Sequence, residues 1–471
     1  MAETQYDFGM VGLGTMGRAL LLNMADHGFA VAGLDTDADK VAALHSEGAG
    51  KPVKGFGDAA QFVASIRKPR AIMMLVPAGP PVDSVIKSLV PHFEAGDFLI
   101  DGGNSYFKDT DRRAQELTAD GFGFIGMGVS GGESGARHGP SMMPGGTPEN
   151  YERIRPIVEA VAAKFEGEPC VALMGCGSAG HYVKTVHNGI EYAVMQLISE
   201  IYDVMKRALR MSNAEIADVF SEWNEAELQS FLVEITTVVL RFKDEKTGGD
   251  LVDLISDKAK QKGTGKWTSQ DAMDLGTPIP TIDVAVAARE MSGLKDERVK
   301  ASALLKPSEV TFPYPKAEAI AYLRNALYTA MLISYAQGLA LLKEASHEYG
   351  YGTNLETVAK IWRAGCIIRS RSLETIRAAF ADNPGLANLL VDPSISALIL
   401  QHEGALRKSV IGAIQASIPV PSLAASIAYL DGYRSERLPA NLIQGQRDLF
   451  GAHTYERLDA EGSFHTHWEK E

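Results

Sequence analysis

The segment from Met10 to Asp35, MVGLGTMGRALLLNMADHGFAVAGLD, constrains the fold more than any other part of the chain. It has the pattern of a strand, a GxGxxG turn, a helix, and a second strand that ends in an acid. In such a unit the first glycine permits a tight turn, the second lets backbone approach a pyrophosphate, and the third lets helix and strand pack closely. The helix N-terminus then offers unpaired amides to phosphate. The segment predicts a dinucleotide-binding domain, with a purely structural glycine turn as the alternative.

The apolar pattern changes its period once along the chain. Between residues 6 and about 175, amphipathic stretches separate short apolar runs: FGMVG, FAVAGLD, AIMMLVP, DFLIDGG, FGFIGMG and CVALMG. This alternation predicts a parallel sheet covered by helices. Helical periodicity then follows over 178–211, 214–243, 281–292, 315–347, 354–381 and 395–415. We therefore expect an α/β Rossmann-type doubly wound domain over 1–177, a large all-α domain over 178–438, and a C-terminal tail over 439–471 that is too short for its own core.

The helical half also contains a weak internal sequence repeat. Tyr182 and Tyr322 each open a long helical pattern, and each pattern is followed some tens of residues later by a similar motif, IADVF at 216–220 and VAKIW at 358–362. Two copies of one helical unit would produce this arrangement. An internal duplication is therefore predicted.

Composition excludes several classes of protein. Lysine and arginine number 46 against 59 aspartate and glutamate, a net charge of −13, so nucleic-acid binding is not expected. No apolar run reaches about 18 residues, and the first residues lack a signal-peptide pattern, which together predict a cytoplasmic protein that does not span a membrane. The three cysteines show no CxxC spacing, so neither a disulfide framework nor a metal site is expected. An anionic substrate would need a local basic pocket.

The acid that ends the second strand bears on the choice of dinucleotide. Asp35 stands where a carboxylate can accept hydrogen bonds from the ribose hydroxyls of the adenosine. Asp37 follows, and the stretch LDTDAD contains no arginine that could neutralise a 2′-phosphate. This pattern favours NAD over NADP. The alternative is that Asp35 only ends the strand and Lys40 or another base reaches the phosphate.

Two loops follow predicted strands and should therefore meet at the carboxyl edge of the sheet, where ligands bind. LIDGGNSY carries Asn104, whose amide both donates and accepts. GVSGGESGARHGPSMMPGG carries Ser130, Gly131 and Gly132, which can present a hydroxyl and bare amides to a carboxylate or hydroxyl ligand. Glycine-rich turns also occur for backbone reasons alone, so the loops do not establish a site by themselves.

The stretch YVKTVHNGIEYAVMQ places four polar groups in an apolar, helix-forming context. At 100° per residue, its four polar positions stand at roughly 0°, 300°, 40° and 340° around the axis, on one face. They are Lys184, His187, Asn188 and Glu191. A solvated stripe is the usual reading of such a face. If it lines a cleft instead, burial could lower the lysine pKa and raise the glutamate pKa, giving a base and an acid.

A later stretch, AKQKGTGKWTS, resembles a phosphate loop but lacks the Walker pattern, since Trp267 follows Lys266. Lys262 and Thr264 could still hold an anion there. The tail carries Arg447 and His453 in QGQRDLFGAHTYE, and the two histidines of FHTHWE, which fit a surface tail better than a metal site.

Eight sequence motifs, taken together, are typical of one protein family. In chain order they are GLGTMG, DGGNS, GVSGGESGARHGPSMMPGG, GHYVKTVHNGIEY, KGTGKWT, DGYR, LPANLIQGQRD and FGAHTYE. With them the chain resembles the long-chain 6-phosphogluconate dehydrogenases from end to end. The resemblance implies a doubly wound domain, a helical domain built partly by duplication, and a homodimer in which each tail crosses into the partner subunit. It also implies oxidative decarboxylation of 6-phospho-D-gluconate to D-ribulose 5-phosphate and CO₂ without a metal, a reaction of the pentose phosphate pathway.

The resemblance also assigns roles to individual residues of this chain, at the positions that match the family's motifs. Lys184 would be the general base and Glu191 the general acid. The substrate's carboxylate and hydroxyl end would be held by Asn104, Ser130, Gly131, Gly132, His187 and Asn188. Its phosphate end would be held by Tyr192, Lys262, Thr264 and Arg289, with Arg447 and His453 from the other subunit. The dinucleotide would contact Gly12, Leu13, Gly14, Thr15, Met16, Gly17, Asp35, Thr36, Asp37, Val76, Pro77, Ala78 and Asn104.

Two departures from the family pattern concern the dinucleotide. Members that use NADP carry Asn-Arg-Thr where this chain has Asp35, Thr36 and Asp37, and a lysine usual after the third strand of the pattern is replaced by Pro77. Both changes remove positive charge and support the expectation of NAD, with NADP disfavoured. Two other functions stay open: a β-hydroxyacid dehydrogenase acting on an unphosphorylated acid, which would not need Lys262, Arg289 and Arg447, and a catalytically silent nucleotide-binding protein.

Overall fold

The computed structural model describes residues 5–307 and 312–468. Its first part is a seven-stranded sheet in the order β3-β2-β1-β4-β5-β6-β7, in which β7 alone runs antiparallel to its neighbour. The strands are β1 Phe8–Val11, β2 Val31–Leu34, β3 Val53–Phe56, β4 Ala71–Met74, β5 Phe98–Asp101, β6 Gly123–Ser130 and β7 Ser141–Gly145. The order of the first six strands is that of a dinucleotide-binding fold. The predicted doubly wound α/β domain is confirmed.

Helices cover both faces of this sheet, which explains why its central strands are apolar on both sides. They are α1 Thr15–Asp26, α2 Ala38–Glu47, α3 Ala59–Ser65, α4 Pro80–Leu89, α5 Phe107–Ala119, α6 Gly132–His138 and α7 Pro148–Val161. A small hairpin, β8 Lys164–Phe165 and β9 Glu168–Pro169, follows. Two separate hydrophobic clusters, one on each side of the sheet, form the core of this part.

Three details of the sheet differ from the sequence prediction. The run CVALMG forms no strand, and Val171 makes only an isolated bridge to Met142. The edge strand β3 was not predicted, because Lys54 is exposed and interrupts its apolar pattern. The last strand, β7, contains Pro144 between glycine-rich stretches and therefore has the composition of a loop.

The second part is helical, as predicted. Its helices are α8 Ala179–Asp203, α9 Asn213–Asn224, α10 Phe231–Arg241, α11 Thr264–Asp274, α12 Pro280–Gly293, α13 Lys295–Leu304, α14 Lys316–Glu348, α15 Leu355–Ile361, α16 Ser372–Asp382, α17 Pro393–Gln415, α18 Pro421–Tyr433 and α19 Ala440–Gly451. The predicted helix 214–243 is two helices, α9 and α10. The predicted helix 354–381 is also two, because the chain turns between α15 and α16 through Gly365 at φ +70°. No helix among the described residues is long and apolar enough to cross a membrane.

The helix α8 joins the two parts. It packs on α11, α12 and α14 and also lies against β6 and β7. The approach is close: a Cβ on Gly180 would lie 2.2 Å from the Met143 carbonyl oxygen, and one on Gly128 would lie 2.4 Å from the Lys184 Cβ. The glycines of α8 and β6 therefore allow the helix to bring Lys184 directly beside the sheet.

One contact bears on the predicted duplication. Ser230 and Ser370 form an antiparallel bridge, in which Phe231 donates to the Arg369 carbonyl and Arg371 donates to that of Gln229. The two serines are separated by the same number of positions as Tyr182 and Tyr322. Equivalent positions of two similar units would pair in this way. The duplication nevertheless stays a prediction.

The tail after α18 consists of α19 and a short hairpin, β10 Tyr455–Glu456 and β11 Ser463–Phe464. The buried Asp448 carboxylate organises it by accepting hydrogen bonds from Thr454, His465, Thr466 and Trp468. Large apolar side chains on α19 face solvent, among them Leu442 at 65% and Phe450 at 70% exposure. The predicted tail runs to 471, and its last three residues lie outside the described part.

Candidate active site

The turn after β1 has the shape that a pyrophosphate requires. Gly12 adopts φ +94°, and a Cβ there would lie 2.5 Å from the Leu75 carbonyl oxygen. A Cβ on Gly17 would lie 1.9 Å from the Gly12 carbonyl oxygen, whereas one on Gly14 would meet nothing within 4 Å. The helix α1 begins at Thr15 without a side-chain cap. The open space over Gly14 and the free amides of α1 therefore fit a dinucleotide phosphate.

The Asp35 carboxylate is committed to its own loop. It accepts hydrogen bonds from the backbone amides of Leu13, at 2.8 Å, and Asp37, at 3.0 Å. The Lys40 ammonium lies 3.6 Å from the Asp35 carboxylate and 3.6 Å from that of Asp37. The basic group that the sequence offered as an alternative thus lies beside the two acids.

The other residues predicted to bind the dinucleotide follow the carboxyl ends of neighbouring parallel strands. Thr15 and Met16 open α1 after β1, and Thr36 follows β2. Val76, Pro77 and Ala78 follow β4, and Asn104 follows β5. Because these strands are adjacent and parallel, the residues share one edge of the sheet.

The polar face of α8 is buried against the sheet. Lys184 is 5% exposed and His187 is fully buried. The Lys184 Nζ lies 3.4 Å from the His187 Nδ1, which lies 3.0 Å from the Asn188 Oδ1. Glu191 is partly exposed, with its carboxylate 3.9 Å from the same Nδ1. The four side chains form one cluster and not a solvated stripe.

Burial moves the pKa values of this cluster in opposite directions. Loss of water lowers the pKa of the Lys184 ammonium, although Glu191 opposes the shift. Burial raises the pKa of the Glu191 carboxyl, opposed by Lys184 and Arg289. The pKa of His187 lies well below its usual value, chiefly because of burial and secondly because of Lys184. The face therefore favours a neutral amine, a neutral imidazole and a carboxylic acid.

Residues from the sheet and from α11 complete this end of the site. The Ser130 hydroxyl at the end of β6 lies 3.3 Å from the His187 Nε2. The Asn188 amide donates to the Thr264 hydroxyl at 3.1 Å, and Thr264 opens α11. Gly131 and Gly132 have φ values of +119° and +62° and start α6. Asn104, by contrast, is exposed and stands on the neighbouring loop.

A basic and aromatic group lies next to Glu191, near the middle of α8. The Arg289 guanidinium stacks on the Tyr192 ring, 3.3 Å from its centroid. Burial lowers the pKa of Arg289, opposed by Tyr192 and Glu191. The backbone at Gly265 packs on the same ring, where a Cβ would lie 2.5 Å from ring carbons. Lys262 is exposed on the loop before α11. This group offers positive charge one turn beyond Glu191.

The two predicted tail residues do not join this group within one chain. Arg447 is exposed on α19 and donates a hydrogen bond to Gln444. His453 is also exposed and packs edge-on against Phe450. Neither shows a polar contact to the α8 cluster in the described part of the chain.

Sequence reasoning missed a group that stands behind the cluster. The Trp362 ring packs edge-on against His187, with centroids 5.6 Å apart, and the Ile367 amide donates to the Ser130 hydroxyl at 3.3 Å. Asp271 accepts from the hydroxyls of Tyr182 and Tyr349 and ties α11 to α8. The buried Trp362 lay inside a predicted helix, so its apolar context carried no signal of a site.

Comparison with known proteins gives consistent results over the whole chain. Family models match the NAD binding domain of 6-phosphogluconate dehydrogenase over residues 7–175 and the 6-phosphogluconate dehydrogenase C-terminal domain over residues 180–468. The chain is 50% identical over 468 residues to the NADP(+)-dependent decarboxylating 6-phosphogluconate dehydrogenase of Bacillus subtilis, covering 99% of this chain and 100% of that one. It is 49% identical over 466 residues to the decarboxylating enzyme of Escherichia coli K12, covering 99% of each.

A solved structure shows the same fold. Plasmodium falciparum 6-phosphogluconate dehydrogenase superposes with a TM-score of 0.95 at 42% identity, covering 98% of this chain and 100% of that one. It was solved in its apo form, with its cofactor NADP+ and with its substrate 6-phosphogluconate.

These relatives correct the expectation of NAD as cofactor, which is wrong. The Bacillus subtilis relative is named as NADP(+)-dependent, and the Plasmodium falciparum structure holds NADP+. At the end of β2 the Asp35 carboxylate is occupied by two loop amides, and the Lys40 ammonium lies beside both acids, so the count of acids in LDTDAD overstated the negative charge there. The identity over the full length also disfavours an unphosphorylated-acid dehydrogenase and a silent protein. The chain belongs to the decarboxylating 6-phosphogluconate dehydrogenase family.

Proposed function

We propose that the α8 cluster oxidatively decarboxylates 6-phospho-D-gluconate to D-ribulose 5-phosphate and CO₂, with NADP+ as the hydride acceptor. The observation that carries the proposal is the pair Lys184 and Glu191, two turns apart on one buried helix face, with pKa values displaced in opposite directions. The reaction needs a neutral base at its first step and a protonated acid at its last.

Each side chain of the pair acts at one substrate atom. The Lys184 amine takes the proton of the C3 hydroxyl while a hydride leaves C3, and the bound nicotinamide supplies the acceptor for that hydride. The resulting 3-keto acid loses CO₂, since the ketone accepts the electrons of the broken bond between C1 and C2. The protonated Lys184 then stabilises the developing enolate. Glu191 donates a proton to the carbon that becomes C1 of the product.

The remaining groups hold the two ends of the substrate. Ser130, His187 and Asn188 form a continuous hydrogen-bonded chain beside Lys184, which suits the carboxylate and hydroxyl end together with Asn104, Gly131 and Gly132. Asn188 also donates to Thr264, which is expected at the phosphate end and so links the two ends. Tyr192 and Arg289, stacked on each other, suit the phosphate end with Lys262. This pocket answers the problem of binding an anion to a chain with a net charge of −13.

The dinucleotide assignment draws local support from Lys40, the basic group beside Asp35 and Asp37. We expect Lys40→Ala to lower kcat/KM for NADP+ by about tenfold, the effect of losing roughly 1.4 kcal/mol of interaction with a phosphate. Lys87→Ala, an exposed lysine on α4, is the matched control. An unchanged kcat/KM for NADP+ in the Lys40 variant would remove this lysine from the phosphate site.

The exposed tail supports a homodimer in which Arg447 and His453 of one subunit help to bind the substrate phosphate in the site of the other subunit. Leu442, Ile443 and Phe450 of α19 are exposed, and an apolar groove of about 230 Å³ lies beside Met195 on α8, which Arg289 contacts. A partner's tail seated in that groove would bury both surfaces and bring its Arg447 close to Arg289.

Mixing two inactive variants tests this arrangement. Lys184→Met and Arg447→Ala are each expected to be inactive as homodimers. If Arg447 acts across the interface, a mixed dimer has one site with both residues intact, so co-expression restores activity. If Arg447 acts within its own chain, no site is intact and activity stays absent.

The experiment that tests the function itself is steady-state kinetics with 6-phosphogluconate and each dinucleotide. We expect turnover, CO₂ release and a higher kcat/KM with NADP+ than with NAD+. No turnover with either dinucleotide would refute the reaction, and a higher kcat/KM with NAD+ would refute the cofactor assignment alone.

A further inference from the structure

The loop between α15 and α16 packs behind the α8 cluster, although it lies far along the chain. We call residues 361–367 the RAGC segment. It is fastened to the β6–β7 hairpin at two cross-strand partners, Ser130 and Ser141. The Ser141 hydroxyl donates to the Ile361 carbonyl at 2.8 Å, and the Ile367 amide donates to the Ser130 hydroxyl at 3.3 Å. Among the described residues, the segment therefore touches the α8 cluster in two ways: by its hydrogen bond to Ser130, and by the Trp362 ring that packs edge-on against His187.

The hydrogen bonds at Ser130 determine which way its proton points. A backbone amide can only donate, so the Ser130 oxygen accepts from Ile367. Within the described part of the chain the second partner of this hydroxyl is the His187 Nε2, at 3.3 Å. Ser130 is 2% exposed, so its own proton would lack a partner unless it is donated to that nitrogen. The His187 Nε2 is thus an acceptor, without a proton of its own.

The opposite side of the ring gives the same assignment. The Asn188 amide nitrogen donates to the Thr264 hydroxyl, which leaves the Asn188 Oδ1 facing the His187 Nδ1 at 3.0 Å. An amide oxygen is an acceptor only, so the Nδ1 must carry the proton. Both ends of the chain of hydrogen bonds therefore require the same neutral tautomer of His187.

That tautomer constrains Lys184, whose Nζ lies 3.4 Å from the protonated Nδ1. The Nδ1 hydrogen is donated to Asn188, so this nitrogen has no lone pair to accept from an ammonium, and its positive N–H edge is better tolerated by an uncharged amine. We propose that the RAGC segment is a positioning element: through Ile367 and Ser130 it holds His187 as the Nδ1–H tautomer, and this tautomer helps to keep Lys184 a neutral amine.

Other groups near the amine oppose one another. Glu191 on the same helix and the buried Cys366 of the RAGC segment favour the charged lysine. Arg289 on α12 faces Glu191 and weakens its influence. Burial is the main cause that favours the amine, and the tautomer of His187 acts in the same direction. The inference rests on the proposed role of Lys184 as base.

Nitrogen-15 NMR of histidine-labelled enzyme reads the tautomer directly. The His187 signals are assigned by their loss in His187→Gln. We expect a protonated Nδ1 and an unprotonated Nε2 in the wild type. In Ser130→Ala the Nε2–H form should become the major one. Ser141→Ala is the matched control, because it removes the other hydroxyl that fastens the same segment to the same hairpin. There we expect the wild-type tautomer.

Several outcomes overturn the inference. A wild-type His187 protonated at Nε2 does so at once, even if Ser130→Ala fails to fold. Equal behaviour of the two serine variants does so too, because it would indicate only a general loosening. Failure of the proposed function is distinguishable, since absent turnover of 6-phosphogluconate leaves the tautomer measurement unaffected. An active enzyme with the Nε2–H tautomer would refute this inference alone.

Discussion

The α8 cluster and the dinucleotide edge at Asp35 both place acids and a lysine within a few ångströms, but in different surroundings. Lys184 is almost fully buried, whereas the Lys40 side chain is 42% exposed. In the first group loss of water dominates the pKa of each member, since charges in a low-dielectric interior are costly. In the second, water and salt screen the charges. The charge pattern therefore predicted which side chains lie together on the buried helix face. At the sheet edge it predicted the wrong cofactor, because hydrogen bonding and screening there do not follow from the number of charges.

The error about the cofactor illustrates the point. On the helix, the periodicity alone placed Lys184, His187 and Glu191 together. At the sheet edge, the number of acids suggested repulsion of a phosphate, yet the outcome depends on how Asp35 is hydrogen-bonded and where Lys40 points. The following predictions test this contrast, beginning with the buried cluster.

Lys184→Met should have the largest effect. It removes the base but keeps an apolar side chain of similar length in a buried position. We expect kcat to fall by about 10²–10⁴-fold, the usual contribution of a general base. NADP+ binding, measured by fluorescence titration, should be unchanged. Lys300→Met, at an exposed lysine of α13, is the control and should behave as wild type. Retained turnover in Lys184→Met would show that the buried lysine is not the base.

Glu191→Gln should have a smaller effect on rate, about 10²-fold. Glu191 is 21% exposed at its side chain, so water can partly replace the lost acid. The more specific consequence is stereochemical. In D₂O the wild type should deliver deuterium to one face of the product's C1, whereas the variant should label both faces. Deuterium on one face in the variant would indicate that another group donates the proton.

The pH dependence of kcat tests whether Glu191 acts in its protonated form. Burial raises the Glu191 pKa above its ordinary value, and the acid must be protonated to act. The wild-type kcat should therefore fall as pH rises through that raised pKa. Glu191→Gln should lack this decline, because an amide does not titrate in the range. A decline of the same size in both proteins would assign it to another group.

Thr264→Val should act on substrate binding. It deletes the hydroxyl that accepts from the Asn188 amide while keeping the shape of the side chain. We expect KM for 6-phosphogluconate to rise by about tenfold, since leaving a buried donor unpaired costs about 1–3 kcal/mol. Thr247→Val, on an exposed turn, is the control. A change in kcat with an unchanged KM would show that Thr264 acts in the chemical step and not in substrate binding.

Much of this molecule was predictable from particular residues. The spacing of Gly12, Gly14 and Gly17 predicted the first βαβ unit, and the polar positions of α8 predicted a cluster that the structure shows as one buried group. The RAGC segment was not predictable, because its contact with Ser130 uses a backbone amide and leaves no pattern in the side chains. Lys40 was named from the sequence only as an alternative, since its position beside Asp35 depends on the rotamer of an exposed side chain.

Asp35→Ala should have the smallest effect and tests the corrected side of the comparison. If the carboxylate mainly anchors the loop through the amides of Leu13 and Asp37, its loss weakens binding of any dinucleotide. We expect kcat/KM for NADP+ and for NAD+ to fall by a similar factor, about two- to tenfold for a lost hydrogen bond. Asp39→Ala, at an exposed acid of α2, should change neither. A change of more than tenfold in the ratio of the two kcat/KM values would mean that Asp35 faces the ribose directly. Asp35, whose side chain is 10% exposed, would then select the dinucleotide by its charge, and the two sites would differ mainly in the exposure of their lysines.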